Sequence, residues 1–227
     1  VWVIGDIHGY SETFSILLEK LKMNENDKVI FIGDLIDRGP KSSFLLGELS
    51  RNKNFFSVMG NHEYMMYKAL KFKKSRDLKS WYKYGGEETI LSFDNDTENA
   101  MLLANKYLDL ICELPIEIIL DNFRIVHAGY NSDKPLSEQT ISDRIWSREV
   151  FNTNDIIDKD RQIIVGHTPT QKIHDSPEPW FSKIMIDELT PSIIGIDTGL
   201  GIVTDESRLT AYNLQTREFV QVSKVEE

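Results

Sequence analysis

The stretch "FIGDLIDRGP", residues 31–40, sets Asp34, Asp37 and Arg38 directly behind an apolar run, with Gly33 at the junction. An unpaired charge taken out of water is costly, so charges at the end of a buried strand need partners. One reading is a surface loop, because Gly-Asp and Gly-Pro are ordinary turn chemistry. The rest of the chain bears on that choice, because the arrangement recurs. Apolar runs ending in glycine beside a potential metal or phosphate ligand are "VWVIGDIHG" (1–9), "VIFIGDLIDRG" (29–39), "FFSVMGNHE" (55–63), "FRIVHAG" (123–129) and "IIVGHT" (163–168). Near-continuous apolar runs of this length suit strands buried on both faces.

Between the first two runs, "SETFSILLEKLKM" (11–23) spaces Phe14, Leu17, Leu18 and Leu21 along one helical face, with Ser11 as its N-cap. Further helices are expected at "SSFLLGELSR" (42–51) and "HEYMMYKALKF" (62–72) and through residues 75–112, with closing strands at "RLTAYNL" (208–214) and "REFVQV" (217–222). Alternating strand and helix argues for βαβ units. The expected architecture is α/β, a sheet sandwich flanked by helices, in a single domain over residues 1–227 with only "KVEE" (224–227) loose.

Composition narrows the function. The 227 residues include 41% apolar and 27% charged side chains, a globular balance. No run approaches the ~18 apolar residues of a spanning helix. The chain begins at Val1, which reads as a trimmed or partial sequence, and that end carries no secretory pattern. Cys112 is the single cysteine, which fits a reducing compartment, so the cytoplasm is expected. A net charge of −10 argues against broad nucleic-acid binding. The exception is "KALKFKKSRDLKSWYK" (68–83), either a solvated basic helix face or a docking surface for an anionic partner.

In open α/β sheets, ligand-binding groups gather at the carboxyl ends of strands. The five strand-end loops carry Asp6 and His8; Asp34, Asp37 and Arg38; Asn61 and His62; His127; and His167, and they hold four of the five histidines in the chain. Carboxylates with imidazoles suit first-row divalent ions, whereas the shortage of cysteine disfavours a structural thiolate zinc site. Asp34 has two oxygens and could bridge a pair of ions, which at about 3.5–4 Å separation clamp a phosphoryl group and lower the pKa of a shared water. Arg38 and Arg148 could each present a planar fork to phosphate, although Arg148 taken alone reads more readily as a surface salt-bridge partner of Glu149. "WYKYGG" (81–86) offers Trp81, Tyr82 and Tyr84 either as the rim of a substrate mouth or as core aromatics.

With "GDIHG", "GDLIDRG", "GNHE", "VHAG" and "GHT" in this order, the chain resembles the phosphoprotein phosphatase family of metallophosphoesterases, over residues 1 to about 170. "GNHEYMM", "WYKYGG", "IWSRE" and "IDTG" resemble the connecting segments of its compact bacterial and lambda-phage-type members. The resemblance implies an α-β-β-α sandwich, the calcineurin-like metallophosphoesterase fold. It implies two divalent ions, manganese expected and iron or zinc compatible. Asp6, His8 and Asp34 would hold the first ion; Asp34, Asn61, His127 and His167 the second. His62 would protonate the leaving group, Asp37 would orient His62, and Arg38 and Arg148 would bind phosphate, with direct attack of hydroxide on phosphorus and no phosphoenzyme.

The implied partners are phosphoprotein or phosphopeptide substrates carrying phosphoserine or phosphothreonine, with phosphotyrosine also open; no nucleic acid or membrane is expected, and the oligomeric state is not legible. An alternative is hydrolysis of dinucleoside polyphosphates. The symmetrical tetraphosphatases resemble "GDLVARG" where this chain has Asp37, although another bacterial subgroup keeps the aspartate and cleaves dinucleotides. A third reading, a non-catalytic phosphoprotein-binding module, expects broken ligand motifs, and these are complete.

Overall fold

Each of the five quoted runs contains a short strand followed by a loop. The computed structural model describes residues 1–202, 204 and 206–226. Its strands are β1 (Trp2–Ile4), β2 (Val29–Phe31), β3 (Phe55–Ser57), β4 (Glu117–Ile119), β5 (Phe123–Val126), β6 (Gln162–Val165), β7 (Trp180–Phe181), β8 (Ile193–Gly195), β9 (Arg208–Asn213) and β10 (Phe219–Ser223). The helices are α1 (Ser11–Leu21), α2 (Ser42–Arg51), α3 (Asn61–Phe72), α4 (Ser75–Trp81), α5 (Glu87–Leu91), α6 (Thr97–Asn105), α7 (Leu108–Cys112), α8 (Ile141–Trp146) and α9 (Gln171–His174).

Two sheets result, ordered β10-β9-β1-β2-β3 and β4-β5-β6-β8-β7. β1, β2 and β3 run parallel, joined through α1 and α2, and β9 closes antiparallel on β1. In the second sheet β5, β6 and β8 are parallel, with β4 and β7 antiparallel at the edges. Val3, Ile30, Ile32 and Val58 of the first sheet pack against Ile125, Ile164 and Ile194 of the second. Alternate residues point the other way, as the two-residue period of a strand requires. Ile4 and Phe31 meet α1, α2 and α3 through Phe14, Leu17, Leu45 and Met66, while Ile163 and Val165 meet Tyr130 and Val150. Burial on both faces, read from the apolar runs, is what β1, β2, β5 and β6 show, whereas β3 leaves Phe56 exposed at the sheet edge, in the α-β-β-α sandwich of the calcineurin-like fold.

Three local expectations are corrected. Ser11 is not an N-cap: it is the first residue of α1, and the flanking Tyr10 makes no side-chain cap. The amides of Glu12 and Thr13 instead bind the carboxylate of Glu226, from the far end of the chain. The "KVEE" tail is therefore anchored through Glu226, with Val225 N donating to Thr13 Oγ1 at 3.1 Å; Glu227 lies outside the described residues. The helical stretch 75–112 is broken into four helices, with a wide turn at Tyr82–Gly86 in which Gly85 has φ +102°.

Phe31, Phe14 and Phe55 form an edge-to-face cluster, with ring centroids 5.3 to 6.3 Å apart. Phe31→Ala is expected to lower unfolding stability by about 3–5 kcal/mol in urea titration. Phe56→Ala, one residue along β3 from Phe55 and 41% exposed, should change it by about 0.5 kcal/mol or less.

Candidate active site

The carboxyl ends of β1, β2, β3, β5 and β6 converge, and the loops that leave them bring every nominated metal ligand into one buried cluster. Those loops adopt a backbone that L-residues rarely take: φ is +51° at His8, +49° at Asp34, +74° at Asp37, +70° at Arg38 and +65° at His167. Each such residue costs on the order of 1–3 kcal/mol and persists only where its surroundings hold it. Gly33, at φ +93°, lets the β2 loop lie against the β3 loop; a Cβ there would sit 2.6 Å from Gly60 N.

The clamp on these loops is Glu63, a residue to which the sequence reading gave no role. Its fully buried carboxylate accepts from Asp34 N and Leu35 N, both at 2.8 Å, and from Gly60 N at 3.1 Å. Burial, then the nearby charge of Asp34, pushes its pKa up to about 7. The sequence signal was present: Glu63 is the third residue of α3, where a glutamate reaches back to the N-cap amide.

Asp34 is the hub. Its Oδ2 lies 3.8 Å from both His8 Nε2 and His62 Nε2, and its Oδ1 lies 3.4 Å from His127 Nε2. Burial alone would raise the Asp34 pKa, but the charges of His127 and His62 hold it well below the usual carboxylate range. His8 Nδ1 donates to Ile36 O at 3.0 Å and His127 Nδ1 donates to Ile32 O at 2.8 Å. Both rings therefore aim Nε2 inward, the way ligating histidines are oriented by a second hydrogen bond. Asn61 Oδ1 lies 2.9 Å from His127 Nε2 and 2.7 Å from His167 Nδ1.

Two groups can each hold a cation: Asp34 with His127 and His167, and Asp34 with His8 and His62. The first matches the expected second ion site, with Asn61 beside it. The other set carries His62 in place of Asp6. Both His62 ring nitrogens are engaged, Nδ1 by Asp37 and Nε2 by Arg38, whereas Asp6 Oδ2 accepts from His167 N at 3.0 Å, tying the β1 loop to the β6 loop, and its carboxylate keeps further lone pairs for a cation. The donor set fits divalent ions, since carboxylate, carboxamide and imidazole ligand atoms crowd together, and the buried His167 Nε2 has no partner among the described residues. Asp34 pushes the His127 pKa up to about 10 against the effect of burial.

Asp37 solves its burial by another route. Its Oδ2 accepts from His62 Nδ1 at 2.6 Å, its Oδ1 accepts from Thr89 Oγ1 at 2.6 Å, and Trp81 Nε1 donates to both oxygens at 2.9 to 3.0 Å. Trp81 is thus a buried hydrogen-bond donor rather than part of a substrate rim. Trp81 and Thr89 stand 44 and 52 residues away in sequence, so no local pattern exposes the network. Burial would depress His62, but Asp34 and Asp37 raise its pKa above the usual imidazole value.

Arg38 donates to His8 Nε2 at 2.9 Å and to His62 Nε2 at 3.1 Å. Its backbone N donates to Gly85 O at 3.1 Å, an approach open only to glycine, since a Cβ on Gly85 would lie 2.6 Å from that nitrogen. Arg148 faces the same cavity of about 320 Å³, together with Asp34, Arg38, Asn61, His62, His167, Tyr84 and Lys172. Glu149 is turned elsewhere, its carboxylate accepting from Ser132 N at 2.9 Å. Asp197 of "IDTG" is a further buried carboxylate missed by the sequence reading; burial pushes its pKa up to about 6, and it accepts from Gly199 N at 3.0 Å. A larger apolar cavity, about 610 Å³, is lined by Ile30, Phe55, Leu114 and Ile118 and contains none of these groups.

A sandwich whose strand ends gather imidazole, carboxamide and carboxylate ligands beside arginines defines a metal-dependent phosphoesterase. Residues 1–191 match the calcineurin-like phosphoesterase family, and the chain belongs to it. It is 30% identical over 218 residues to serine/threonine-protein phosphatase 2 of Escherichia coli strain K12, covering 95% of this chain and 93% of that protein. It is 26% identical over 250 residues to the asymmetrical bis(5'-nucleosyl)-tetraphosphatase PrpE of Oceanobacillus iheyensis, covering 97% and 91%. A solved structure provisionally described as a diadenosine tetraphosphatase superposes with a TM-score of 0.68 at 18% identity, over 100% of this chain and 94% of that one, a likeness of fold. The protein is a metallophosphoesterase, a hydrolase of phosphate esters.

Two substitutions separate the roles at this site. Asp34→Asn is expected to abolish manganese binding measured by calorimetry, together with turnover, whereas His62→Asn should bind manganese as before and lose about 10²–10⁴ in kcat. Thr89→Val removes a donor to Asp37 at nearly constant volume; kcat should fall about tenfold with metal affinity unchanged.

Proposed function

We propose that the protein is a metal-dependent phosphoprotein phosphatase that hydrolyses phosphoserine and phosphothreonine monoesters, with phosphotyrosine also accepted. The observation that carries this reading is the His62–Asp37 pair. His62 opens onto a cavity lined by Arg38 and Arg148, and its other ring nitrogen is held by Asp37 at 2.6 Å. Asp37 is also the residue that departs from the alanine of the symmetrical tetraphosphatase pattern. The relative from Escherichia coli, similar over nearly its whole length, supports the same assignment.

The chain's own residues supply most of the steps. Arg38 and Arg148 receive the phosphoryl oxygens, a geometry that favours the planar guanidinium over lysine. Asp34 and Asp37 raise the His62 pKa, which favours the imidazolium once Arg38 turns from Nε2 to a phosphoryl oxygen, so Nε2–H can pass a proton to the seryl oxygen as the phosphorus–oxygen bond breaks. Asp37, hydrogen-bonded on both oxygens, fixes the ring and stabilises the imidazolium. Asp6, His8, Asp34, Asn61, His127 and His167 would hold two divalent ions, with manganese proposed. Such ions supply positive charge at the phosphoryl oxygens and make hydroxide available near neutral pH.

Dinucleoside polyphosphate hydrolysis is the second reading, favoured by the relative from Oceanobacillus iheyensis. It would use the same ligands with a nucleotide as leaving group. The deciding measurement compares kcat/KM of the manganese-loaded protein on a phosphoserine peptide and on diadenosine tetraphosphate. The larger value is expected for the peptide; preferential cleavage of the dinucleotide would reverse the assignment.

A further inference from the structure

The proposed function leaves one charged feature unused. Residues 68–83 carry seven cations and a single carboxylate, Asp77, in a chain of net charge −10. Within α4 and the wide turn after it, Arg76, Lys79 and Lys83 stand at steps of three and four residues, on one helical face. All three are exposed, while Trp81 is buried and Leu78 and Tyr82 are half-buried against the core. Arg76 Nε lies 3.6 Å from Asp77 Oδ1 on a side chain 86% exposed. Lys79 and Lys83 form no ion pair among the described residues, and Glu87 and Glu88 follow only beyond the turn at Gly85.

This face leads to the active site. Lys83 Nζ lies 5.9 Å from the Tyr84 ring, and Tyr84 lines the cavity that contains His62, Arg38, Arg148 and Lys172. Seven residues at about 1.5 Å rise span roughly 10 Å, the reach of about three residues of extended peptide. Building on the phosphatase reading, we propose that Arg76, Lys79 and Lys83 form a docking track for acidic residues flanking the phosphorylated residue of a protein substrate. The substrate class is then an acidic phosphopeptide segment, with phosphate at the metal centre and carboxylates along the track.

The test uses phosphoserine peptides with three glutamates on either side of the phosphoserine, each paired with a glutamine counterpart, plus p-nitrophenyl phosphate and diadenosine tetraphosphate. Wild-type protein is compared with the combined Arg76→Gln, Lys79→Gln and Lys83→Gln variant, both loaded with manganese. For at least one side, the glutamate peptide should exceed its glutamine counterpart in kcat/KM by about five- to tenfold. That preference should shrink as salt shortens the screening length from about 10 Å at 0.1 M to about 3 Å at 1 M. It should vanish in the variant, whose turnover of p-nitrophenyl phosphate stays at the wild-type value. Equal turnover of glutamate and glutamine peptides by the wild type would overturn the track and leave the phosphatase reading standing. Cleavage of the dinucleotide with no turnover of any phosphopeptide would overturn both. A variant impaired only on diadenosine tetraphosphate would assign the basic face to the dinucleotide and overturn the peptide track.

Discussion

The site depends first on the Glu63 carboxylate. By binding the amides of Asp34, Leu35 and Gly60, it ties the loop after β2 to the loop after β3 and sets the first turn of α3 against both. His62 N then donates to Asp34 Oδ1 at 3.0 Å, so the aspartate proposed as a metal ligand and the proposed acid share one frame. Hydrogen bonds contribute about 0.5–1.5 kcal/mol each, and about 1.5–3 where the acceptor is ionised, so three of them together reach the order of the strain of a left-handed residue. The positive φ angles of Asp34, Asp37 and Arg38 are therefore sustained by partners that the loops supply to one another.

Charge in this interior is handled in two ways, and the difference follows from chemistry. Asp34 faces imidazoles and remains ionised, a state suited to gathering cations. Asp37 is surrounded by donors from Trp81, Thr89 and His62, which satisfy its oxygens without a metal. Buried charges survive in proteins when paired and fully hydrogen-bonded. The two aspartates of "GDLIDRG", three residues apart, thus occupy different environments, and Arg38 stands between two histidines at the cavity edge.

The basic face of α4 stands apart from this economy of buried partners. Its cations are solvated, so they contribute little to folding and are available to a ligand. Their placement beside Tyr84 comes from the turn at Gly85, where a missing Cβ lets the chain pass against the Arg38 backbone.

By itself the sequence determined β1, β2, β3, β5, β6, β9 and β10, the two-sided burial of β1, β2, β5 and β6, and the gathering of Asp6, His8, Asp34, Asn61, His62, His127 and His167 at one edge, but not β4, β7 or β8. Those features follow from local periodicity and from the rule that parallel strands open their loops at a common end. It also contained Glu63 as a helix-start signal, although its reach across two loops was not visible there. Only the tertiary structure decided that Trp81 and Thr89 partner Asp37, that Asp6 accepts from the His167 amide, and that Glu226 replaces Ser11 as the cap of α1. Those contacts join positions 44 to 214 residues apart. A hydrogen bond is directional and short-ranged, so its partners are chosen by three-dimensional placement that no run of neighbouring residues encodes.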